Sequence, residues 1–554
     1  MKLKIYSLLL CAGLFTASCS DMLDTVPQGK FTDEQLDDNS IEGLVSATYN
    51  GLEAHFFGNN EAFSGPSTNW IFDVRSDDAL KGGGATSMEP NIHQLEISNI
   101  TSDNVSSMYK WENNYYPIVR ANRAIAAIQN AKNISNPEQL IGEMKCLRAY
   151  YYFDLIRVFK RIPYFTEADE DASSKSNTEF TRAEIYDKII ADLTDAFNTL
   201  PEKPAAPGRV CKYTAAAILA KVYAQDTESG TCDWQKVKEW AKKVIDSNNY
   251  SLYPKCQDMA KIDNNNKYES ILAIQCSTAN NNAHINWSNL LNVTYSDGNI
   301  YGTGDDFFYG SQDLVDAFAT DENGLPYIDK KNPNGEVLSN GLYYGNVDPR
   351  LDFTVGRIGF PFRGHTYTKG WCRAYDIYGE YSNKKNICDP ADPRMISGWP
   401  WGGSPLNFCL IRYSDIVLLY AEACVETNEL EEARTWVNKI RQRAENSIDP
   451  AYAPKDISTS MADYKVGLYP EQGWTQDYAR KAVRTERRLE LALEGNRWFD
   501  LLRWGNTVDV MQKYFAKEKQ FQKYYQDASI SNDDLFLKIY YTEVSNSYGL
   551  YTQY

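Results

Sequence analysis

Apolar residues recur at three- and four-residue steps through two long stretches of the chain, and the pattern lapses between them. In the first stretch Ile118, Ala121, Ile125 and Ile128 predict a helix over 109–131, and Ile141, Met144, Leu147, Tyr151 and Leu155 predict another over 139–159. A shorter helix over 41–52 precedes them. Thr181 and Glu184 are spaced as a capping box, which opens a helix over 185–200 that Pro201 and Pro204 stop. Helices over 213–224 and 237–245 follow, the second with Asp233 as N-cap. The second stretch predicts helices over 416–425, 430–444 and 478–504, with Ala421 and Ala423 small enough for close antiparallel contact. Paired helices with short connections suggest tetratricopeptide-like units, although no clean period of about 34 residues is present.

Between the two stretches the chain changes character. Residues 250–410 are rich in Asn, Gly, Pro, Tyr and Trp, with turn pairs Asp297-Gly298, Asn334-Gly335 and Gly402-Gly403. A structureless loop of that length is anomalous in a compact protein, so this part is expected to pack on itself and to carry binding loops. The expected fold is all-α: tetratricopeptide-like helix pairs form a scaffold, with a large irregular loop-rich subdomain inserted. The division that follows is 1–18, 19–40, 41–249, 250–410 and 411–554: leader, tether, first helical block, irregular subdomain and second helical block.

The beginning of the chain adds a location. Lys2 and Lys4 precede an apolar run over 5–15, then Thr16-Ala17-Ser18-Cys19. This is a secretory signal, too short to remain as a membrane-spanning helix. Its end resembles a bacterial lipobox with Cys19 as the acylated first residue, except that Thr16 stands where Leu is usual. Two or three acyl chains at ~0.8 kcal/mol per buried CH₂ anchor a protein firmly to a membrane. Nine cysteines lie beyond Cys11 and Cys19, none in a CxxC pair. Cys372 with Cys388 is the closest-spaced disulfide candidate, while Cys146, Cys211, Cys276, Cys409 and Cys424 are expected to be buried thiols.

A net charge of −17 opposes a phosphate backbone, so no nucleic-acid partner is expected. The four histidines, His55, His93, His284 and His365, stand singly and make no zinc set. No GxSxG elbow or Walker A sequence is present, and Gly82-Gly83-Gly84 lacks the context of a phosphate cradle. The oxygen-rich turns at 321–324 and 332–336 form without a metal, so neither metal nor cofactor is expected. What is abundant is amphipathic rings: 39 Tyr against 22 Phe, with 12 Trp.

The segment 484–505 reads RTERRLELALEGNRWFDLLRWG. It resembles the C-terminal signature of the SusD/RagB family, outer-membrane lipoproteins that capture nutrients, mostly glycans, beside a TonB-dependent transporter. Further matches keep the family's order: SDDALKGGG at 76–84, GEMKCLRAYYYFDLIRVF at 142–159, DPRL at 348–351 and RYSDIVLLYAEA at 412–423. The C-terminus, TEVSNSYGLYTQY, departs from the family, which has prolines there. In the signature, Glu486 with Glu490 and Arg484 with Arg488 are like-charge pairs one turn apart, and only Arg487 with Glu490 is a well-spaced opposite pair. The remaining charges must find partners on neighbouring helices, so the motif reads as an ion-pair lattice rather than a ligand site.

Sugar capture sets aromatic faces against pyranose C–H faces and polar forks against hydroxyls. Trp287, Asn289, Tyr295, Asp297 and Tyr301 supply both, as do Trp371, Arg373, Tyr375, Trp399 and Trp401. Any single ring in an irregular domain more often packs its core. Trp399 and Trp401 alternate on a Pro/Gly-rich loop and cannot both turn inward easily, so they are the better surface candidates. The resemblance adds Asp78 and Lys81, with Asp77, as residues near ligand. It implies a surface glycan-binding lipoprotein docked on a SusC-like TonB-dependent transporter, held to the outer membrane by a lipid anchor on Cys19 and performing no catalysis. The alternatives are a helical-repeat scaffold or peptide-binding partner of that transporter, and a glycoside hydrolase using two carboxylates roughly 5 to 9.5 Å apart.

Overall fold

The computed structural model describes residues 37–53, 66–169, 171–225, 232–282, 284–295, 300–338, 343, 345–385, 387–448 and 463–554. The leader, Cys19 and the turn at Asp297 lie outside them. The fold is all-α. Its framework is α1 (Asp38–Tyr49), α2 (Val105–Asn130), α3 (Pro137–Val158), α4 (Arg182–Thr199), α5 (Lys212–Gln225), α6 (Trp234–Asp246), α7 (Tyr413–Glu426), α8 (Leu430–Asn446), α9 (Gln476–Leu491), α10 (Arg497–Trp504) and α11 (Thr507–Glu518). Among the described residues, strands occur only as two-stranded ladders. No described helix is long and apolar enough to cross a membrane.

Local chemistry sets the helix ends. Thr181 accepts the Glu184 amide while the Glu184 carboxylate accepts the Thr181 amide, the reciprocal cap its sequence predicts. Asp233 accepts the Gln235 and Lys236 amides at the start of α6. That helix buries Val237, Trp240, Ala241, Val244 and Ile245, one stripe, and leaves its lysines outside. In α3 and α7, by contrast, nearly every residue from Gly142 to Val158 and from Tyr413 to Val425 is buried. Helices buried all round sit at the centre of a stack, and these two are the family-like segments 142–159 and 412–423.

Successive helices pack as neighbours from α2 through α6, and α6 then packs against α7, across an excursion of more than 160 residues in the chain. α7 also contacts α8 and α9, so the helical stack is continuous while the intervening segment leaves and returns. A short antiparallel ladder closes its neck: β2 (Ser270–Ile274) pairs with β4 (Phe408–Arg412), Ser270 opposite Arg412. A second ladder joins the segment to the early chain, with β1 (Ala79–Gly82) antiparallel to β3 (Phe307–Gly310).

Ion pairs buried at the neck tie these parts together. Glu490 on α9 meets Arg412 at 2.7 Å, Arg350 at 3.0 Å and Arg443 of α8. Glu269 pairs with Arg412 and Arg443, Glu494 with Arg412 and Lys385, and Glu486 with Arg350 and Arg441; Asp348 closes the group on Arg350. Five carboxylates thus face five cations, all at most a tenth exposed. Burial alone would raise the Glu490 carboxyl, but Arg443, Arg412, Arg350 and Lys385 hold it far below the usual carboxylate range. A second group joins Lys221 of α5, Asp415 and Glu422 of α7, Arg487 of α9, and Asp500 and Arg503 of α10.

Three expectations change. Arg487 does not use Glu490, three residues on; it reaches Asp415 and Asp500 at 2.8 and 3.0 Å. The helix expected over 478–504 is two, α9 and α10, because Leu493 and Gly495 take left-handed backbone angles. Gly495 is required there: a Cβ would sit 3.0 Å from the Asn69 carbonyl carbon in a conformation that side chains rarely adopt. Cys372 and Cys388 are not bridged but are buried thiols in different apolar clusters, Cys372 lying 3.2 Å from the Tyr367 hydroxyl. The C-terminal tail docks on the first helical block, where the Asn177 side chain donates to the Thr552 carbonyl and accepts the Thr552 amide.

Removing one partner from a buried ion group strands the others. Glu490→Gln is expected to destabilise the protein by about 3–5 kcal/mol, read as a lowered Tm and earlier denaturant midpoint. Asp73 is the opposite case. Burial, then the nearby Asp78, pushes its carboxyl up to about 8, and one of its oxygens is buried without a hydrogen-bond partner. A carboxyl raised in the folded state contributes most below its unfolded pKa of about 4 and loses that contribution as pH rises toward 8. Asp73→Asn is therefore expected to gain stability relative to the parent between pH 5 and 8 and to level off above, as followed by thermal melts across pH.

Candidate functional site

The aromatic residues of the intervening segment divide by burial. Trp371 and Tyr301 lie in a cluster with Val293, Phe362, Tyr367 and Ile387, each ring 4 % exposed. Trp371 sits 5.4 Å from both Phe362 and Tyr367, and the Tyr301 hydroxyl donates to the Cys388 carbonyl at 2.7 Å. Trp287 is buried in a neighbouring cluster with Ile285, Leu290 and the half-buried Ile396. These three rings form a floor, with their faces turned to other side chains.

Above the floor the loop 399–403 behaves differently. Trp399 is 57 % exposed, the most exposed tryptophan among the described residues, whereas Trp401 is half-buried. Trp401 lies over Gly302, where a Cβ would fall 2.3 Å from the indole. Gly402 is pressed against Val293 and Gly403 against Ile285 and Ile396, so the loop rests on both clusters. Only glycine allows that approach at 302 and 402, whose φ values are +86° and +77°.

On the Trp371 cluster, Tyr295 and Tyr375 are half-buried and carry cations on their rings. The Arg373 guanidinium lies 5.5 Å from the Tyr295 ring and the Lys369 ammonium 4.0 Å from the Tyr375 ring. Arg373 also donates to Asp305 at 2.9 Å, and Lys369 faces Asp376 at 3.4 Å. Tyr295 is set by its amide, which donates to the Trp371 carbonyl. The result is an exposed indole, partly open phenol rings and charged hydrogen-bonding groups on one packed base. Nothing in the sequence marked Asp305 or Lys369, because their relevance comes from which rings the fold places beside them.

Asp306, next to Asp305, is pushed up to about 7 by burial. It accepts the Tyr309 hydroxyl and the Arg373 amide and is wholly buried, so it holds the segment together rather than facing solvent.

Asp78 and Lys81 are placed elsewhere, both fully buried. Asp78 accepts from Arg488 at 2.5 Å, and Asp77 takes both forks of Arg497 at 2.8 Å. The acidic loop is thereby the counterion of the 484–505 segment. The Lys81 ammonium donates to the carbonyls of Gly82, Ala85 and Met88, and burial pushes it down to about 8. The glycines after it make room for rings: a Cβ on Gly82 or Gly83 would strike Tyr309 or Phe307. Among the described residues no group of acidic, His or Cys side chains has the arrangement of a metal site.

The family model described as "SusD family" matches residues 268–551, and one described as "Starch-binding associating with outer membrane" matches 35–224. A SusD-like protein of Bacteroides ovatus is 24% identical over 96% of this chain and 88% of its own length. SusD-like protein P2 of Formosa agariphila is 29% identical over 91% of this chain and 92% of its own. Among solved structures, the surface glycan-binding protein A of Bacteroides thetaiotaomicron, in complex with laminarihexaose, is similar with a TM-score of 0.69 at 18% identity, covering 94% of this chain and 99% of that one. A laminarin-binding SusD-like protein is similar with a TM-score of 0.66 at 20% identity, covering 93% and 99%.

The close seat of Trp401 on Gly302 yields a test of the site's base. Gly302→Ala is expected to displace the indole and cost about 1–3 kcal/mol, seen as a shifted tryptophan emission and a lower Tm.

Proposed function

This chain belongs to the SusD family, and from that premise we propose that it is a cell-surface glycan-binding protein. It captures an oligosaccharide and delivers it to a TonB-dependent, SusC-like transporter of the outer membrane, and it changes no covalent bond. A lipid on Cys19 holds it at that membrane. The association with an outer membrane accords with the description of the family model over residues 35–224.

The observation that carries this reading is Trp399. The segment buries Trp287 and Trp371 almost completely yet leaves more than half of this indole in water, on a loop whose glycines are wedged against the clusters below. An exposed ring on a rigid base presents apolar area to a ligand without an ordering cost on binding. A pyranose laid on Trp399, with Trp401 at its side, brings its hydroxyls toward groups such as Arg373, Asp305 and Lys369, while Tyr295 and Tyr375 extend the surface. Trp287, Tyr301 and Trp371 support that surface from behind, while Asp78 and Lys81 brace the acidic loop away from it. The relatives named for laminarin and glycan binding support a neutral polysaccharide as the first ligand to try.

Calorimetric titration of the intact protein against a panel of polysaccharides tests this. Trp399→Ala, at a ring that is 57 % exposed, is expected to weaken glycan binding by about ten- to a hundredfold, with thermal melts of the variant reading its folding separately. No reducing ends should appear on prolonged incubation. Failure to bind any glycan together with capture of peptides would replace this reading with an interaction scaffold, and released reducing ends would make it a hydrolase.

A further inference from the structure

A cavity of about 970 Å³ opens between the 484–506 region and residues 313–336, sharing no residue with the Trp399 surface. Its size suits a small ligand. Seven lysines and arginines line it against four carboxylates, in a chain whose net charge is −17. Most of these cations are matched. Arg488 pairs with Asp77, Asp78 and Asp313, Arg497 with Asp77, Lys481 with Asp329, and Lys517 with Asp316 and Glu336. Three are not matched in this way. Lys330 and Lys331 are exposed and form no ion pair among the described residues.

Arg484 is the third. It lies on α9 with its guanidinium 4.8 Å from the Trp504 ring. Its nearest carboxylate, Glu422, is 3.7 Å from Nε, beyond a hydrogen bond, and Nε is buried without a hydrogen-bond partner. Glu422 is already engaged by Arg503 at 2.5 Å and by the Trp504 indole N–H at 2.6 Å. The neighbouring Arg487, Arg488, Arg497 and Arg503 are all raised by their carboxylates, whereas burial lowers Arg484 and the attraction of Glu422 and Glu426, opposed by Arg503 and Arg480, does not restore it. The lattice of the 484–505 segment therefore contains one arginine whose charge is under-compensated, and that arginine lines the cavity.

We propose that this cavity is a second ligand site, taking the carboxylate or sulfate group of an acidic saccharide, with Arg484 as the anion receptor and Lys330 and Lys331 as supporting cations. A guanidinium lying over an indole ring, here 4.8 Å from its centroid, is held by that contact and keeps a rigid set of N–H donors, which suits a planar or tetrahedral oxyanion. Lys330 and Lys331 add attraction that salt screens. The choice of a saccharide over another anion rests on the glycan reading above; the anion site does not.

The test uses the intact protein with three probes: an oligouronate, a neutral oligosaccharide of equal length, and inorganic sulfate. The oligouronate is expected to bind, and to lose about tenfold in affinity in Arg484→Gln and in the Lys330→Gln, Lys331→Gln double variant, and with rising salt. Trp399→Ala should leave the effect of Arg484→Gln intact, and Arg484→Gln should leave neutral-glycan binding unchanged. Arg484→Gln should also keep or raise Tm, because it removes a desolvated charge with no hydrogen-bonded carboxylate. A marked fall in Tm would place Arg484 in the structural lattice and overturn the proposal. So would oligouronate binding unaffected by all three cavity substitutions, no oligouronate binding, or binding of sulfate alone. Loss of neutral-glycan binding only in Trp399→Ala would keep the two sites separate.

Discussion

The ion group at the neck of the intervening segment is the constraint on which the rest of this structure depends. Each charge taken out of water costs several kcal/mol before any partner is counted. Glu490 is tolerable in the interior only because Arg350, Arg412 and Arg443 arrive together from three separated parts of the chain. The same requirement acts in reverse: the segment cannot settle against the helices in another register without leaving a buried carboxylate or guanidinium alone. Apolar packing would hold the parts together, whereas the charges dictate how they meet. That role in specificity, more than net stabilisation, accounts for ten ionised groups at one junction.

A division of labour follows for the aromatic residues. The scaffold is supplied by helices α3 and α7, buried on every side, and by the charges that fix α9 and α10. The intervening segment has little regular structure and is stiffened by small apolar clusters in which Trp371, Tyr367, Phe362 and Tyr301 touch. Once its interior is filled in this way, the loop bearing Trp399 and Trp401 needs only glycines at its contacts to lie rigidly on top. A rigid exposed ring is suited to capture followed by release, because little conformational freedom is lost on binding and none has to be recovered on transfer.

The family-like segments, accordingly, are mostly statements about folding. Asp77 and Asp78 answer Arg488 and Arg497, and the DPRL segment delivers Asp348 and Arg350 to Glu486 and Glu490. Arg484 stands apart within this set. Its neighbours consume the available carboxylate, and it borders open space instead of a closed pair.

Helix positions, the capping box at Thr181, and the change of character between the helical stretches were determined by the sequence itself, since periodicity and capping act over three or four residues. It also implied that the charges of 484–505 seek partners on other helices, because like charges one turn apart cannot satisfy each other. Only the tertiary structure decided which partners: Asp415, 72 residues away, and Asp500 on the following helix, not Glu490, for Arg487. Likewise the composition announced an excess of rings without saying which are wetted. The Pro/Gly-rich surroundings of Trp399 pointed toward the surface, but Trp401 in the same loop is half-buried and Trp371 wholly so, and what separates them is whether clusters formed by distant residues close over the ring or lie beneath it. Burial is a property of the assembled chain, so the local pattern marked the loop that bears the face of this surface but not which other rings form its floor.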